Sequence, residues 1–200
     1  MLHTIIFIGR SGSGKGTQAG LFKDRIHRLD GDNKRNILYI ETGEHFRKFA
    51  QGTSLASKLS EKMMTNDERQ PDFLASWMWS NILIDDLSDD MHLVFDGAPR
   101  ACQEAEMLTD ALQFFKREKP VVIHLEVSRD WSEKHLLKRG RSDDVNIARI
   151  DKRLDWFDTD VVPALKYFKN DPYYRLIEIN GEQSIDKVHS DIVSAYEYQA

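Results

Sequence analysis

The chain has 200 residues, which at about 100–200 residues per domain allows one domain with inserted lobes. Its 28 Lys+Arg against 33 Asp+Glu leave a formal charge of −5, which argues against a protein that coats nucleic acid or anionic membrane, since both tasks need a basic face. Hydrophobic residues at 40% suffice for a core, no apolar stretch approaches the ~18 residues of a membrane span, and the single Cys102 can form neither an internal disulfide nor a thiolate metal site.

The opening Met1-Leu2-His3-Thr4 has no charged n-region and no apolar h-region. No secretory signal is expected, and a cytoplasmic location is. Five short apolar runs follow, at Thr4–Ile8, Ile37–Ile40, Met91–Phe95, Val121–Leu125 and Tyr174–Ile179. Their length, continuity and β-branched or aromatic content predict strands buried on both faces. Between them, helical patterns cover Lys15–Leu29, Gly43–Ala50, Ser54–Met64, Pro71–Leu87, Ala101–Lys116, Arg129–Lys138, Val145–Phe168 and Ile185–Tyr196. Pro71 is expected at the first helical position of its segment. This alternation predicts an α/β protein with a parallel sheet and helices on both faces. Two segments interrupt it. Residues 42–70 place two helices between consecutive strands, and residues 139–146 form a charged break containing glycine. Both are candidates for flaps over the carboxyl ends of the strands, where open α/β sheets bind ligands.

Gly9-Arg10-Ser11-Gly12-Ser13-Gly14-Lys15-Gly16-Thr17 follows the first strand and opens the first helix. That strand–loop–helix context is the one a phosphate-binding P-loop requires. The glycines let backbone N–H groups turn inward, the helix N-terminus adds partial positive charge, and Lys15 reaches the terminal phosphates. A glycine that merely turns the chain would not need the lysine. Gly16 stands where most P-loops carry Ser or Thr, so the next hydroxyl is that of Thr17.

Thr42-Gly43-Glu44-His45-Phe46-Arg47 follows the second strand and opens a helix with an arginine one turn in. It reads either as a second anion site or as a plain N-cap with a surface arginine. Asp96-Gly97-Ala98-Pro99-Arg100 ends the third strand. A carboxylate there, beside a P-loop, is placed to hold magnesium through water, and Arg100 offers a planar fork to phosphate oxygens. Lys138, Arg139, Arg141, Arg149 and Arg153 concentrate positive charge within an acidic chain. The run is either a solvated face or a lid for a polyphosphate.

The segment Gly14-Lys15-Gly16-Thr17-Gln18 resembles that of the adenylate kinase and nucleoside monophosphate kinase family. Three further blocks are similar to the family's and fall in its order: Thr42–Arg47, Asp96–Arg100 and the arginine-rich stretch from residue 135 to Arg153. The resemblance runs from residue 3 to about 195. It implies a P-loop three-layer sandwich with a five-stranded sheet. It implies a core of residues 1–41, 71–134 and 147–200, a helical monophosphate-binding lobe at 42–70 and a short lid at 135–146. It further implies reversible transfer of the ATP γ-phosphoryl group to AMP, giving two ADP.

The resemblance assigns ATP binding to Gly12, Ser13, Gly14, Lys15, Gly16, Thr17, His135, Arg139 and Gln183. It assigns AMP binding to Thr42, Gly43, Arg47, Gln70, Gly97, Arg100, Glu104, Arg141 and Arg153. Catalysis would rest on Lys15, Arg100, Arg139, Arg141 and Arg153, with Asp96 holding magnesium through water. Several positions depart from the family pattern. Glu104 stands where the family carries a Gln that reads the adenine edge, His135 replaces the arginine that stacks on the donor adenine, Glu44 replaces Asp and Ala98 replaces Phe. Thr42, where Ala would favour pyrimidines, favours AMP. The short lid has no cysteine cluster, so no zinc is expected, and a monomer is the family expectation. The nearest alternative is a UMP/CMP kinase. Alternatives from other classes are a nucleotide switch without phosphotransfer and a small-molecule kinase of the shikimate or gluconate type.

His3, His27, His92, His124 and His189 show no ligand spacing. Trp77, Trp79, Trp131 and Trp156 sit in helical patterns and are read as packing residues, and Cys102 as a bystander.

Overall fold

A computed structural model describes residues 1–139 and 147–198. Five strands, β1 (Thr4–Gly9), β2 (Ile37–Glu41), β3 (His92–Asp96), β4 (Val121–Glu126) and β5 (Arg175–Asn180), form one sheet in the order β2-β3-β1-β4-β5. Every pairing is parallel. The helices among the described residues are α1 (Lys15–Asp30), α2 (Thr42–Phe49), α3 (Leu55–Thr65), α4 (Asp72–Asp86), α5 (Cys102–Phe114), α6 (Arg129–Arg139), α7 (Ile147–Trp156), α8 (Val162–Asn170) and α9 (Ile185–Glu197). The expected α/β class with a five-stranded parallel sheet is borne out.

The apolar runs form strands because both faces of the sheet are covered. Ile6, Ile8, Leu93, Phe95 and Val122 point to one face and meet Trp79 and Leu83 of α4, Leu108 and Leu112 of α5 and Phe168 of α8. Ile5, Phe7, Val94, Ile123 and Leu125 point to the other and meet Phe22 and Ile26 of α1 and Val188, Ile192 and Tyr196 of α9. Burying each such side chain contributes about 1.5–3 kcal/mol, so the central strand β1, with Ile5, Ile6 and Phe7 fully buried, anchors the fold. Parallel strands place all five carboxyl ends on one edge. The P-loop, the start of α2, the Gly97–Arg100 turn and the loops after β4 and β5 therefore gather there. Gly12 makes the P-loop turn possible: its φ is +84°, and a Cβ would lie 2.7 Å from the Ser132 carbonyl oxygen.

The expected helix from residue 145 to 168 differs. Val145 and Asn146 lie outside the described residues, and the remainder divides into α7, a π turn at Phe157–Val161 and α8. Pro163 supplies the reason. It has no N–H, and its ring crowds the carbonyl four residues back, so the ladder loosens ahead of it. The Val162 N–H accordingly bonds Phe157 O, five residues back. Pro71 caps α4 from outside rather than starting it. Met91 and Tyr174 fall just short of their strands, and a turn of 3₁₀-helix at Gly31–Asn33 was not anticipated.

Candidate active site

A cleft of about 720 Å³ opens along the carboxyl edge of the sheet. Its donor side is the P-loop, with Gly12, Gly14, Lys15, Gly16 and Thr17 on its wall. Lys15 begins α1, and its Nζ lies 3.5 Å from the Arg10 carbonyl oxygen. Burial pushes the Lys15 ammonium down to about 8, Arg100 and Arg139 push the same way, and Asp96 opposes them. Ser13 is buried, and its hydroxyl is unpartnered.

Gly16 explains the unusual residue after the lysine. A Cβ there would stand 3.0 Å from Asp96 Oδ2. That oxygen accepts from the Tyr39 hydroxyl at 2.9 Å. Asp96 ends β3 and faces the cleft beside Lys15. Among the described residues there is no group of three or more His, Cys, Asp or Glu that could cage a metal ion. A single carboxylate beside a phosphate cradle fits magnesium that keeps most of its waters and arrives with the nucleotide.

The opposite side of the cleft carries Gly43, Arg47, Gln70, Gly97 and Arg100. Thr42 itself is buried, and its hydroxyl donates to Gly97 O at 2.9 Å, so it ties α2 to the turn after β3. Arg47 pairs with Glu41 at 3.1 Å. Arg100 Nε donates to Gly97 O at 2.6 Å. Gln70 donates through Nε2 to Ser60 O at 3.1 Å. Arg139, at the end of α6, and Arg153, on α7, line the same cleft, as does His135. His135 Nδ1 lies 2.9 Å from the Trp131 carbonyl oxygen, which fixes the proton on Nδ1, and its ring stacks on Trp131 at 4.3 Å. Arg141 lies outside the described residues.

Besides the buried Ser13 and Thr42, two more assigned residues are not on the cleft wall. Glu104 is buried: Oε1 accepts from Trp79 Nε1 at 3.0 Å, and Oε2 accepts from the Arg100 backbone N–H at 2.6 Å. Burial raises its pKa, against the pull of these bonds and of Arg100 and Arg69. Its carboxylate therefore faces the protein and not the cleft. Gln183, on the loop after β5, turns its amide to Asn180 O at 2.8 Å and Asp191 Oδ2 at 3.0 Å.

The sequence reading missed Arg69, which lines the cleft next to Arg100 and pairs with Asp72 and, at 3.1 Å, with Asp160 of the π turn. It weighed Arg149 for a lid role. The structure ties Arg149 to the turn after α3, where it pairs with Asp67 and donates to Thr65 O at 2.9 Å. Trp156 also lines the cleft, which corrects its reading as a packing residue.

This arrangement sets a phosphate cradle, a lysine, five cleft-lining arginines (Arg47, Arg69, Arg100, Arg139 and Arg153) and the Asp96 carboxylate around a single cavity. A family model described as adenylate kinase matches residues 7–173. The chain belongs to the adenylate kinase family. It is 33% identical to a Bacteroides thetaiotaomicron protein named adenylate kinase, over 98% of this chain and 98% of that one. It is 32% identical to one from Phocaeicola vulgatus, over 98% and 99%, and 29% identical to one from Corynebacterium urealyticum, over 92% and 93%. Membership makes it a phosphotransferase of the nucleoside monophosphate kinase class. No helix among the described residues is long and apolar enough to cross a membrane.

Proposed function

We propose that the chain transfers the γ-phosphoryl group of MgATP to AMP, reversibly, as a cytoplasmic monomer that engages neither nucleic acid nor membrane. The observation that carries this reading is the convergence of Lys15, Arg47, Arg100, Arg139 and Arg153 on one cleft large enough for two nucleotides. In that reading residues 42–70 are the acceptor lobe, 135–146 the lid, and the rest the core.

ATP and AMP together bring about six negative charges, and in-line transfer spreads charge over the equatorial oxygens of the moving group. The P-loop amides and Lys15 hold the donor phosphates, and the bound polyphosphate restores full charge to the lysine. Arg47 and Arg100 grip the acceptor phosphate. An oxygen of that phosphate attacks the γ-phosphorus, the bond to the β,γ-bridging oxygen breaks, and ADP leaves on either side. Arg139, Arg141 and Arg153 neutralise the charge between the two nucleotides. Asp96 would hold magnesium through its waters, and the ion would supply charge neutralisation at the donor phosphates when MgATP is bound. Closing the cleft excludes the water that would otherwise take the phosphoryl group.

The test is a steady-state assay with ATP and, separately, AMP, CMP, UMP and GMP. AMP-dependent ADP formation is the expected result. Dominant UMP phosphorylation would assign the chain to the pyrimidine branch, and ATP binding without any acceptor-dependent ADP would remove the transferase reading.

A further inference from the structure

Trp156 is half-buried at the end of α7 and belongs to no buried hydrophobic cluster. It lines both the cleft and the small cavity behind Lys15 and Arg100. Among the described residues its ring meets no other aromatic ring, and its indole N–H has no acceptor. The three other aromatic side chains on the cleft wall are committed, His135 by its stack on Trp131. Tyr39 carries Lys23 Nζ over its ring at 4.4 Å and donates its hydroxyl to Asp96. Phe46 is buried with Leu74, Ala75 and Met78. Among the described residues Trp156 is therefore the unclaimed aromatic side chain on that wall, which it shares with Arg69, Gln70 and Arg153.

The acceptor base lacks the edge reader that the sequence assigned, because both Glu104 oxygens are taken by Trp79 and Arg100. A nucleobase without an edge reader is still held well by its π face, and an indole offers the largest partner for it. We propose that Trp156 is the stacking wall for the acceptor nucleobase, so that acceptor choice rests on ring area more than on hydrogen-bonding edge. This rests on the acceptor reading above. It favours purine over pyrimidine monophosphates.

The test joins steady-state kinetics to tryptophan fluorescence under AMP titration, with Trp156→Ala, Trp156→Leu and Trp131→Phe. Leucine keeps apolar volume without a π face, so it decides the matter should the alanine variant fail to fold. Losing a base stack is expected to raise KM for AMP about tenfold, with KM for ATP within about twofold of wild type. AMP is expected to quench wild-type fluorescence and that of Trp131→Phe, and to lose that quench in the Trp156 variants. An unchanged KM for AMP with the quench retained in Trp156→Leu overturns the proposal. A wild-type protein that phosphorylates no monophosphate would instead overturn the acceptor reading, and this proposal with it.

Discussion

Glu104 accepts a 2.6 Å hydrogen bond from the backbone N–H of Arg100, four residues before it. Its other oxygen accepts from Trp79, so one buried carboxylate joins α4, α5 and the turn that aims Arg100. Under the proposed function, Glu104 is then a positioning residue for the arginine assigned to the acceptor phosphate. In Glu104→Gln one of the two donors would face an amide N–H₂, and a buried donor without an acceptor costs about 1–3 kcal/mol. The expected outcome is lower stability to urea by that amount and reduced kcat/KM for the acceptor. The AMP-to-GMP ratio should stay unchanged. A shifted ratio would return Glu104 to the base pocket.

Lys15 is a charge that the empty cleft holds at a cost. Its pKa is about 8 in the folded protein and near 10.5 when unfolded, so the unfolded chain binds more protons between those values. Stability of the nucleotide-free protein should therefore rise with pH from about 8 to 10.5. Lys15→Met should remove that slope, raise the melting temperature of the nucleotide-free protein at pH 7, and lower turnover by orders of magnitude. ATP affinity of the wild type should fall above pH 8 as the lysine loses its proton. Calorimetry of both proteins across pH 7–10 checks the pair of effects, and a lower melting temperature for Lys15→Met at pH 7 would contradict them.

The pairing of Arg149 with Asp67 bridges 82 residues of sequence. Lys152 adds a contact to Asn66 O at 3.5 Å, and Arg69 meets Asp160 at 3.1 Å. Together they fasten the end of α3 to α7 and the π turn. Removing Arg149 would leave the buried Asp67 carboxylate without its partner, which costs more than breaking an exposed pair worth about 0–1 kcal/mol. Arg149→Ala is expected to speed hydrogen exchange in residues 55–68 while leaving β1 and β4 protected. Equal acceleration everywhere would mean a global loss instead.

A second pH effect lies away from the cleft. His3 stacks on His92 at 5.0 Å, and its Nδ1 lies 2.7 Å from the Tyr196 hydroxyl. Burial, with help from His92, lowers the His3 pKa to about 4. The unfolded chain thus binds more protons between about 4 and 6.5, so stability is complete above 6.5 and declines as pH falls toward 4. His3→Gln should flatten that decline in urea denaturation at pH 4.5 against pH 7. An unchanged slope would show that other groups govern it.

The cradle and the strands were legible because their signals are local. Gly12, Gly14 and Lys15 sit within four residues of one another, and the β-branched runs of β1 and β4 are continuous. The inward turn of Glu104 was not legible, because its partner Trp79 lies 25 residues away on another helix. Arg69 was missed and Trp156 read as packing for the same reason: nothing beside them in sequence shows that the segment before α4 and the end of α7 both line the cleft. The break at Phe157–Val161 did leave a local trace, in Pro163 inside a long helical pattern.

Binding of a bisubstrate analogue, two adenosines joined by five phosphates, tests most directly whether one cleft seats two nucleotides end to end. The expected result is one analogue per chain, displaced by both ATP and AMP and weakened by Arg100→Ala as well as by Lys15→Met. Displacement by ATP alone, with affinity indifferent to Arg100, would contradict it.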